Sequence, residues 1–507
     1  MEGTNDPVTR PNHAPAYLAV DLGADSGRLV RGQFNGARVE LTEVHRFPNG
    51  PVRIGDGLHW DVPRLFGEIK DGLAQAARDR TGLLVSIGID SWGCDFGLLD
   101  RTGALIANPL HHRDPRTAGM LERAFVRVPR AEIYRITGVQ FLPLNTLYQL
   151  LALEDSPLLA VAETLLLIPD LFVFWLGGEL ASEATNATTT QLYDFTARDW
   201  AWSIIERLGL PAHLFPTLVE PGTPRGVLCP DIAAEIGLTA PPTLTTVASH
   251  DTASAVAAVP AEGADFAYIS SGTWSLVGLE LAAPIVTDAA LAANFANEGG
   301  AGGTTRFLKN VAGLWLLQEC RRAWARTGTN YSYDDLVRLA AVAPPFGPLI
   351  DPNHPSFLQP GDLPARIRAF CCATNQTPPD DPGATVRCVL ESLALAYRHV
   401  LVQAATISGH RIGVVHVVGG GARNALLCQL TADATRFPVV AGPVEATALG
   451  NVLVQALAHG AIGSFGELRD VVHRSTEVQR FEPTGDADVW DAAAERFQRF
   501  TATVSAP

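Results

Sequence analysis

The sequence predicts an α/β protein of two similar units with a cleft between them. Apolar, strand-like runs alternate with segments of helical periodicity along the 507 residues. Two segments, beginning near Tyr17 and Asp265, each read as a strand, a turn of small polar residues and a second strand. Because this motif recurs at the distance of a whole domain, we infer a duplicated domain rather than a short repeat.

The first unit opens with AYLAVDLGADSGRLVRGQF, where Gly23 and Gly27 mark the turn, and ARVELTEVHRF follows as a third strand. Residues 63–80 have the apolar spacing of a helix. LLVSIGIDSWGCDFGLLD again reads as a strand, a polar turn and a strand. TLTTVASHD predicts a strand that ends at a polar cluster, residues 249–252.

The second unit opens with DFAYISSGTWSLVGLEL. Later, RIGVVHVVGGGARNALLCQLTADAT predicts an apolar strand, a glycine turn and an amphipathic helix. The boundary between the units is predicted within residues 246–265. Residues 1–15 are polar and proline-containing and have no apolar run typical of a signal peptide, so we expect a disordered leader.

The composition excludes several classes of protein. With 47% hydrophobic and 18% charged residues, the chain can bury a large core. The formal charge of −15 argues against a nucleic-acid binder or a polybasic membrane clamp. No run approaches the ~18 apolar residues of a membrane span. Without a recognisable export signal, we expect a cytoplasmic protein. A monomer or weak homo-oligomer with small-molecule partners is also expected.

The chain contains only two lysines, Lys70 and Lys309. Neither lies in a G-x-x-x-x-G-K-[ST] motif, which excludes a P-loop NTPase. The glycines at 419–421 belong to G-G-G-A-R-N at the far end of the chain, which does not fit a dinucleotide-binding fold. The motif set of protein kinases is missing as well.

Two polar turns are candidate phosphate sites. Asp21, Gly23, Ser26 and Gly27 lie in the first, and residues 270–273 form the second. Small residues allow close approach of the backbone, and consecutive N–H groups can bind an anion. Each turn alone is more often a simple hairpin, but two in duplicated positions indicate a cleft that holds phosphate from both sides.

Asp251 is the candidate catalytic base, because it ends an apolar strand near the inferred cleft. An alcohol that attacks a phosphoryl group needs a carboxylate to accept its proton. Capping of the helix TASAVAAV is the alternative role for Asp251 or Thr252, and without other observations it is the favoured one. Asp21 could orient Mg²⁺ through water, a role for which Asp90 and Asp95 compete.

Other polar and aromatic residues have simpler interpretations. His111 and His112 are expected to be ordinary polar loop residues, and Trp274 is expected in the core. The seven scattered cysteines fit neither a zinc site nor a disulfide framework. Reduced thiols are expected, although Cys371 could pair with Cys388.

Several segments together resemble the FGGY carbohydrate kinases, and in particular their rhamnulokinase branch. They run in order from about residue 17 to residue 455 and include AVDLGADSGR, IGIDSWGCDFGLLD, HRDPRT, NATTTQLYD, ASHDTASAV, ISSGTWSLVG, NEGG and HVVGGGARN. The resemblance implies two actin-like, ribonuclease H-like domains. It implies a sugar-binding domain at 16–250, a nucleotide-binding domain at 251–485, and a C-terminal helix and tail at 486–507.

The resemblance also implies an activity and its residues. Mg²⁺-dependent transfer of the ATP γ-phosphate to the 1-hydroxyl of L-rhamnulose is expected, with Asp251 as proton acceptor. The implied sugar-binding residues are Trp92, Gly93, His250, Asp251 and Thr252. The implied nucleotide-binding residues are Ala24, Asp25, Ser26, Gly27, Arg28, Thr273, Asn310, Gln318 and Gly420.

Two departures from the family pattern affect these expectations. Asp25 replaces a small or hydroxylic residue, and its carboxylate should repel ATP unless it faces away or meets Mg²⁺. Cys94 replaces an aliphatic residue in the sugar loop. A kinase for another ketose such as L-fuculose is the nearest alternative, and a non-catalytic nucleotide or sugar sensor is a distant one.

Overall fold

Two β-sheets with the same internal strand order organise the molecule, each covered by helices. The computed structural model describes residues 14–78 and 82–501. The predicted leader at 1–15 therefore lies outside the described residues, apart from Ala14 and Pro15. Pro15 already belongs to the ordered protein, because its carbonyl accepts a hydrogen bond from Phe34 N at 3.1 Å.

The strands of the first half of the chain are β1 (Ala16–Leu22), β2 (Ser26–Phe34), β3 (Val39–Pro48), β4 (Val52–Ile54), β5 (Gly57–His59), β6 (Leu84–Ser91), β7 (Phe96–Leu99), β8 (Thr164–Leu167), β9 (Ser182–Glu183), β10 (Tyr193–Asp194), β11 (Asp199–Trp200), β12 (Leu218–Val219), β13 (Pro224–Val227) and β14 (Thr243–Thr245). Those of the second half are β15 (Phe266–Ser271), β16 (Trp274–Leu281), β17 (Ala296–Gly299), β18 (Thr305–Ala312), β19 (Val414–Val418), β20 (Val439–Ala441) and β21 (Gln479–Phe481).

The helices that precede the second sheet are α1 (Val62–Arg78), α2 (Met120–Arg127), α3 (Arg130–Thr137), α4 (Thr146–Leu151), α5 (Pro157–Ala160), α6 (Ile168–Trp175), α7 (Ala184–Ala187), α8 (Trp202–Leu208), α9 (Pro230–Glu235) and α10 (Asp251–Ala257). The later helices are α11 (Asp288–Ala292), α12 (Trp315–Arg326), α13 (Tyr333–Val342), α14 (Leu363–Ala373), α15 (Pro382–Ser408), α16 (Ala425–Thr435), α17 (Ala446–Ala458), α18 (Phe465–Ser475) and α19 (Ala487–Thr501). Short 3₁₀ turns lie at Pro115–Thr117, Thr188–Thr190, Ala212–Leu214, Pro355–Phe357 and Gly420–Arg423.

The first sheet has the order β13-β14-β6-β1-β2-β3. β2 and β3 extend β1 as an antiparallel meander, while β6 and β14 run parallel to β1 on its other side. All seven residues of β1 are buried, which explains the nearly continuous apolar run in its sequence.

The second sheet has the order β17-β18-β16-β15-β19-β20-β21. β16 and β18 continue β15 as an antiparallel meander, and β19 and β20 run parallel beside it. This arrangement repeats that of the first sheet, with β15 in the place of β1. The predicted duplication is therefore visible in the strand order, whereas the boundaries at residues 250 and 485 stay predictions.

Two helices, α10 and α17, join the sheets. A Cβ on Gly450 of α17 would lie 1.8 Å from the carbonyl oxygen of Ser254 in α10, so the two helix backbones are in direct contact. α17 also packs against the first sheet, where Gly32 and Gly88 leave room for Val452 and Asn451. Although α17 comes late in the chain, it packs against the first sheet and against α10, and so lies between the two halves of the molecule.

One predicted strand pairs differently from a simple hairpin. β7 follows the polar turn after β6, but it pairs antiparallel with β8, about seventy residues later in the chain. The buried LLLIPDLFVFW run therefore contributes a strand and then helix α6. Among the described residues, no helix combines the length and apolar character that spanning a bilayer requires.

Candidate active site

A cleft with a volume of about 910 Å³ lies between the two sheets. Both hairpin turns, the start of α10 and the segment after β6 contribute side chains to it. Of the residues predicted for the site, the cleft is lined by Asp21, Ala24, Asp25, Ser26, Arg28, Trp92, Gly93, His250, Asp251, Thr252, Thr273, Asn310, Gln318 and Gly420. Gly27 is buried and is not among the lining residues, and a Cβ there would lie 2.3 Å from the ring of the buried Phe47.

The first turn joins β1 to β2 at one wall of the cleft. Gly23 N donates to Ser26 O at 2.9 Å, and Asn49 Nδ2 donates to Gly23 O at 2.8 Å. Asp21 Oδ2 accepts from Arg28 Nε and Nη2 at 2.9 and 2.7 Å. The guanidinium of Arg28 also contacts Glu445 across the cleft. The turn is thus held rigidly while Ala24 and Asp25 face the open space.

The second turn faces the first across the cleft. Gly272 N donates to Trp274 O at 2.8 Å and closes the β15–β16 hairpin. Thr273 Oγ1 donates to Asp25 Oδ2 at 2.6 Å, and Arg322 Nη2 lies 3.3 Å from Asp25 Oδ1. The Asp25 carboxylate therefore faces into the cleft, but a hydroxyl and a guanidinium compensate its charge. These contacts bridge the two turns.

Asp251 is the first residue of α10, and His250 occupies the cap position without a side-chain cap bond. The interpretation of Asp251 as a helix cap is therefore wrong. Its side chain is 31% exposed, lines the cleft and accepts from Thr252 Oγ1 at 3.1 Å. Burial raises the pKa of Asp251, the charge of His250 opposes this, and Asp21 raises it further. An acid of raised pKa facing a cleft is typical of a proton acceptor.

The loop after β6 forms the end of the cleft nearest Asp251. Gly93 passes close to Thr189, whose Oγ1 would lie 2.9 Å from a Cβ at that position. Cys94 adopts a left-handed backbone, with φ of 73°, held by bonds from Cys94 N to Thr189 Oγ1 and from Thr146 Oγ1 to Cys94 O. A non-glycine residue in this conformation is strained, so the surrounding structure fixes the loop.

Asp95 is the polar centre beneath this loop. Its Oδ2 accepts from Trp60 Nε1 at 2.7 Å, Trp92 Nε1 at 3.0 Å and His112 Nδ1 at 2.8 Å, and Gln149 donates to Oδ1. Burial alone would raise the pKa of Asp95, but the charge and hydrogen bond of His112 lower it to about 2. Its lone pairs are committed to protein donors, so it is a poor candidate for a metal ion.

The expectation that His111 and His112 are ordinary loop residues is wrong. His111 is buried and stacks on Trp60 at 4.3 Å, and His112 lines the cleft beside Trp92. Burial lowers the pKa of His111 to about 3, so it is a neutral ring in an aromatic cluster. Trp274 is half-buried and lines the cleft, where Arg113 lies 5.6 Å from its ring, so the prediction of a core position holds only in part.

The other nucleotide-binding residues implied by the resemblance, beyond those of the first turn and Thr273, belong to the second half of the molecule. Asn310 N and Nδ2 both donate to Gln140 Oε1 of the first half, at 2.9 and 3.1 Å. Gln318, on α12, has a buried Oε1 without a hydrogen-bond partner. Gly420 follows β19 at the rim of the cleft. All seven cysteines, Cys371 and Cys388 included, are free thiols.

Several supporting residues were not predicted from the sequence. Glu183 is fully buried, and its carboxylate accepts from Ser249 N and Oγ, Thr185 N and Oγ1, and Asn186 N. It ties the segment before His250 to the segment that supports Gly93. Glu298 and Arg306 form a buried ion pair next to His250. NEGG contains Glu298, and NATTTQLYD begins three residues after Glu183, but spacing gives no hint of the partners of either glutamate.

Comparison with known sequences agrees with this geometry. The profile of the FGGY family of carbohydrate kinases matches residues 16–258 with its N-terminal domain and residues 267–459 with its C-terminal domain. A rhamnulokinase of Bacteroides thetaiotaomicron is 43% identical over 485 residues, 95% of this chain and 98% of that protein. A rhamnulokinase of Enterococcus faecalis is 42% identical over 471 residues, 92% of this chain and 93% of that protein.

Solved structures support the fold. A gluconate kinase from Lactobacillus acidophilus superposes with a TM-score of 0.78 at 16% identity, covering 97% of this chain and 99% of that one. A xylulose kinase from the same organism gives a TM-score of 0.77 with the same coverage and identity. The predicted fold class, two actin-like domains around a cleft, is confirmed.

Proposed function

Because this chain belongs to the FGGY family of carbohydrate kinases, we propose that it transfers the γ-phosphoryl group of ATP to the 1-hydroxyl of L-rhamnulose, a step of L-rhamnose catabolism. The observation that supports this most directly is the position of Asp251. Its carboxylate lies in the cleft together with both hairpin turns and the Trp92–Cys94 loop. The proposed proton acceptor, phosphate site and sugar site therefore share one space.

In the proposed reaction, Asp251 accepts the proton of the sugar 1-hydroxyl. The sugar oxygen forms a bond to the γ-phosphorus while the bond from that phosphorus to the bridging oxygen breaks, and ADP leaves. The raised pKa of Asp251 makes its carboxylate a stronger proton acceptor than an exposed aspartate. Closure of the cleft would exclude water and so limit hydrolysis of ATP.

Backbone groups and arginines are proposed to hold the phosphates. The turns at residues 23–26 and 271–273 would offer backbone N–H groups of small residues to a phosphate, apart from those of Gly23 and Gly272, which already close the hairpins. The cleft is lined by Arg28, Arg46, Arg321 and Arg423, while neither lysine of the chain lines it. This agrees with the expectation that turns of Gly, Ser and Thr replace a lysine-based phosphate site.

Mg²⁺ fits the cleft as an ion held mainly through phosphate and water. Asp21 and Asp90 are adjacent across the β1–β6 pair, and the buried Oδ1 of Asp90 has no hydrogen-bond partner. In the described residues, however, no three His, Cys, Asp or Glu side chains converge as a metal cage. Asp21 remains the proposed contact through water, and the ion would neutralise phosphate charge when bound.

A panel of ketoses assayed with ATP tests the proposal. The wild-type protein and Asp251→Asn are incubated with L-rhamnulose, L-fuculose, xylulose and no sugar, and ADP is measured. We expect the highest kcat/KM with L-rhamnulose, and a loss of about 100-fold or more in the variant while ATP binding is retained. A clear preference for another ketose would overturn the substrate, and near-normal turnover of Asp251→Asn would overturn the base.

A further inference from the structure

His250 lies between two carboxylates that come from different halves of the molecule. Its Nε2 is 3.5 Å from Asp251 Oδ1, and its Nδ1 is 3.2 Å from Glu298 Oε2. Glu298 belongs to β17 in the second sheet, whereas His250 and Asp251 begin α10. A row of three side chains therefore runs from the second sheet to the proposed base.

Arg306 completes the far end of this row. It is opposite Glu298 in the β17–β18 register, and its Nη2 lies 3.1 Å from Glu298 Oε2 and 3.2 Å from His250 Nδ1. Its Nε donates to Gly299 O at 2.8 Å, which fixes the plane of the guanidinium. Both Arg306 and Glu298 are buried, so each charge depends on the other.

Burial by itself would raise the pKa of Glu298. The charge of Arg306 and the contact and charge of His250 outweigh burial, and the pKa is lowered. Glu298 is therefore a carboxylate in the neutral pH range. Its negative charge therefore balances the Arg306 guanidinium beside His250.

The two partners of Nδ1 restrict the proton positions on the imidazole. A guanidinium only donates and a carboxylate only accepts. If Nδ1 is bare, Arg306 donates to it and the ring proton is on Nε2. Glu298 Oε2 lies 3.2 Å from Nδ1 without forming a hydrogen bond to it, so Glu298 acts on the ring through its ion pair with Arg306. With the Arg306 guanidinium donating to Nδ1, the ring proton is on Nε2, which faces Asp251 Oδ1 at 3.5 Å.

We propose that Glu298 and Arg306 are positioning residues for phosphoryl transfer, which fix the His250 ring so that its Nε2–H faces the carboxylate of Asp251. This inference rests on the proposed function, because it takes Asp251 as the base. The pair supplies orientation from a sheet, which is more rigid than the loop that precedes α10.

A double-mutant cycle tests whether Glu298 acts through His250. In the wild-type background, Glu298→Gln is expected to lower kcat about tenfold or more with saturating ATP and the preferred sugar. In a His250→Asn background, the same substitution should change kcat less than about threefold. Equal losses in the two backgrounds would overturn the inference, since a purely structural effect does not depend on His250.

Glu280→Gln is the matched control. Glu280 is a buried carboxylate of the same sheet, paired with Arg469 and bonded by Thr304 Oγ1, and it does not line the cleft. Its substitution should leave kcat unchanged, so a loss equal to that of Glu298→Gln would contradict a specific role. If Glu298→Gln folds poorly by thermal melting, Glu298→Asp replaces it in the cycle with the same expectations.

A spectroscopic readout separates this inference from the substrate assignment. Ring-nitrogen NMR of ¹⁵N-histidine-labelled protein, with the His250 signals assigned through His250→Asn, reports the tautomer without any sugar. We expect a protonated Nε2 in the wild type and altered His250 nitrogen shifts in Glu298→Gln. A bare Nε2 in the wild type, or unchanged shifts in the variant, would overturn the positioning role even if sugar phosphorylation is confirmed.

Discussion

Asp25 shows how a residue that looks unfavourable in the sequence is accommodated. A carboxylate beside the proposed phosphate site should repel ATP. In the structure it accepts from Thr273 Oγ1 and pairs with Arg322, so its charge is compensated across the cleft. Those two donors are then engaged by the protein itself, and they become available to a phosphate only when Asp25 releases them.

Replacement of Asp25 should therefore strengthen nucleotide binding. Asp25→Ser removes a negative charge from the turn and frees both donors, so we expect the Kd for ADP to fall about fivefold, which corresponds to about 1 kcal/mol. Isothermal titration calorimetry with Mg²⁺ present measures this Kd. Asp25→Asn retains the shape and an acceptor for Thr273 but loses the charge, so it separates the two causes. Weaker binding in both variants would show that Asp25 itself holds the nucleotide or its metal ion.

The residues that could be predicted from the sequence are those next to recognisable turns. Asp251 and Trp92 lie beside polar clusters, and both line the cleft. The supporting roles of Glu183 and Glu298 could not be predicted, because they depend on contacts with Ser249 and His250, which are distant in the chain. His111 and His112 were misinterpreted because nothing in the sequence indicates the stack on Trp60.

At the level of helices and strands, the local pattern predicts the hairpins well and the long-range pairing poorly. β1–β2 and β15–β16 close through two- or three-residue turns, whose composition is visible in the sequence. The pairing of β7 with β8 and the position of α17 depend on which surfaces meet after folding. The glycines that allow α17 to approach look like ordinary helix or strand glycines in the sequence.

The contact of α10 with α17 gives a test of this packing. Gly→Ala within a helix usually stabilises by about 1 kcal/mol. At Gly450 the new Cβ would lie 1.8 Å from the backbone oxygen of Ser254, so the helices must separate. We expect Gly450→Ala to lower the free energy of unfolding by about 1–3 kcal/mol, as overpacked cores do. Chemical denaturation of the purified protein measures the change.

Gly67 provides the control, because it lies within α1 and a Cβ there would meet no atom within 4 Å. Gly67→Ala should stabilise the protein by about 0.5–1 kcal/mol. If both variants are stabilised, the helices α10 and α17 do not pack as closely at Gly450 as the structure shows.

For the molecule as a whole, the charge distribution matters more than the net charge. A chain with a formal charge of −15 is proposed to bind the polyanion ATP. The cleft meets this with local arginines and backbone N–H groups, and its acidic residues are largely paired. Neither of the two lysines contributes to this positive charge, because neither lines the cleft. Lys70 on α1 pairs with Glu235, and Lys309 Nζ lies 3.5 Å from Gln403 on the far side of β18 from Asn310.

A variant without lysine should therefore keep its nucleotide site. We expect Lys70→Gln combined with Lys309→Met to retain kcat and the KM for ATP within about twofold, since neither side chain lines the cleft. Burial lowers the pKa of Lys309 to about 8. Lys309→Met therefore removes a poorly solvated cation from the second half of the molecule. Arg321→Met, on a cleft-lining guanidinium that lies 4.0 Å from the Tyr333 ring, should instead raise the KM for ATP about tenfold. Steady-state kinetics with thermal melting of each variant checks both expectations. Loss of ATP binding in a stably folded lysine-free variant would mean that a lysine reaches the phosphates when the cleft closes.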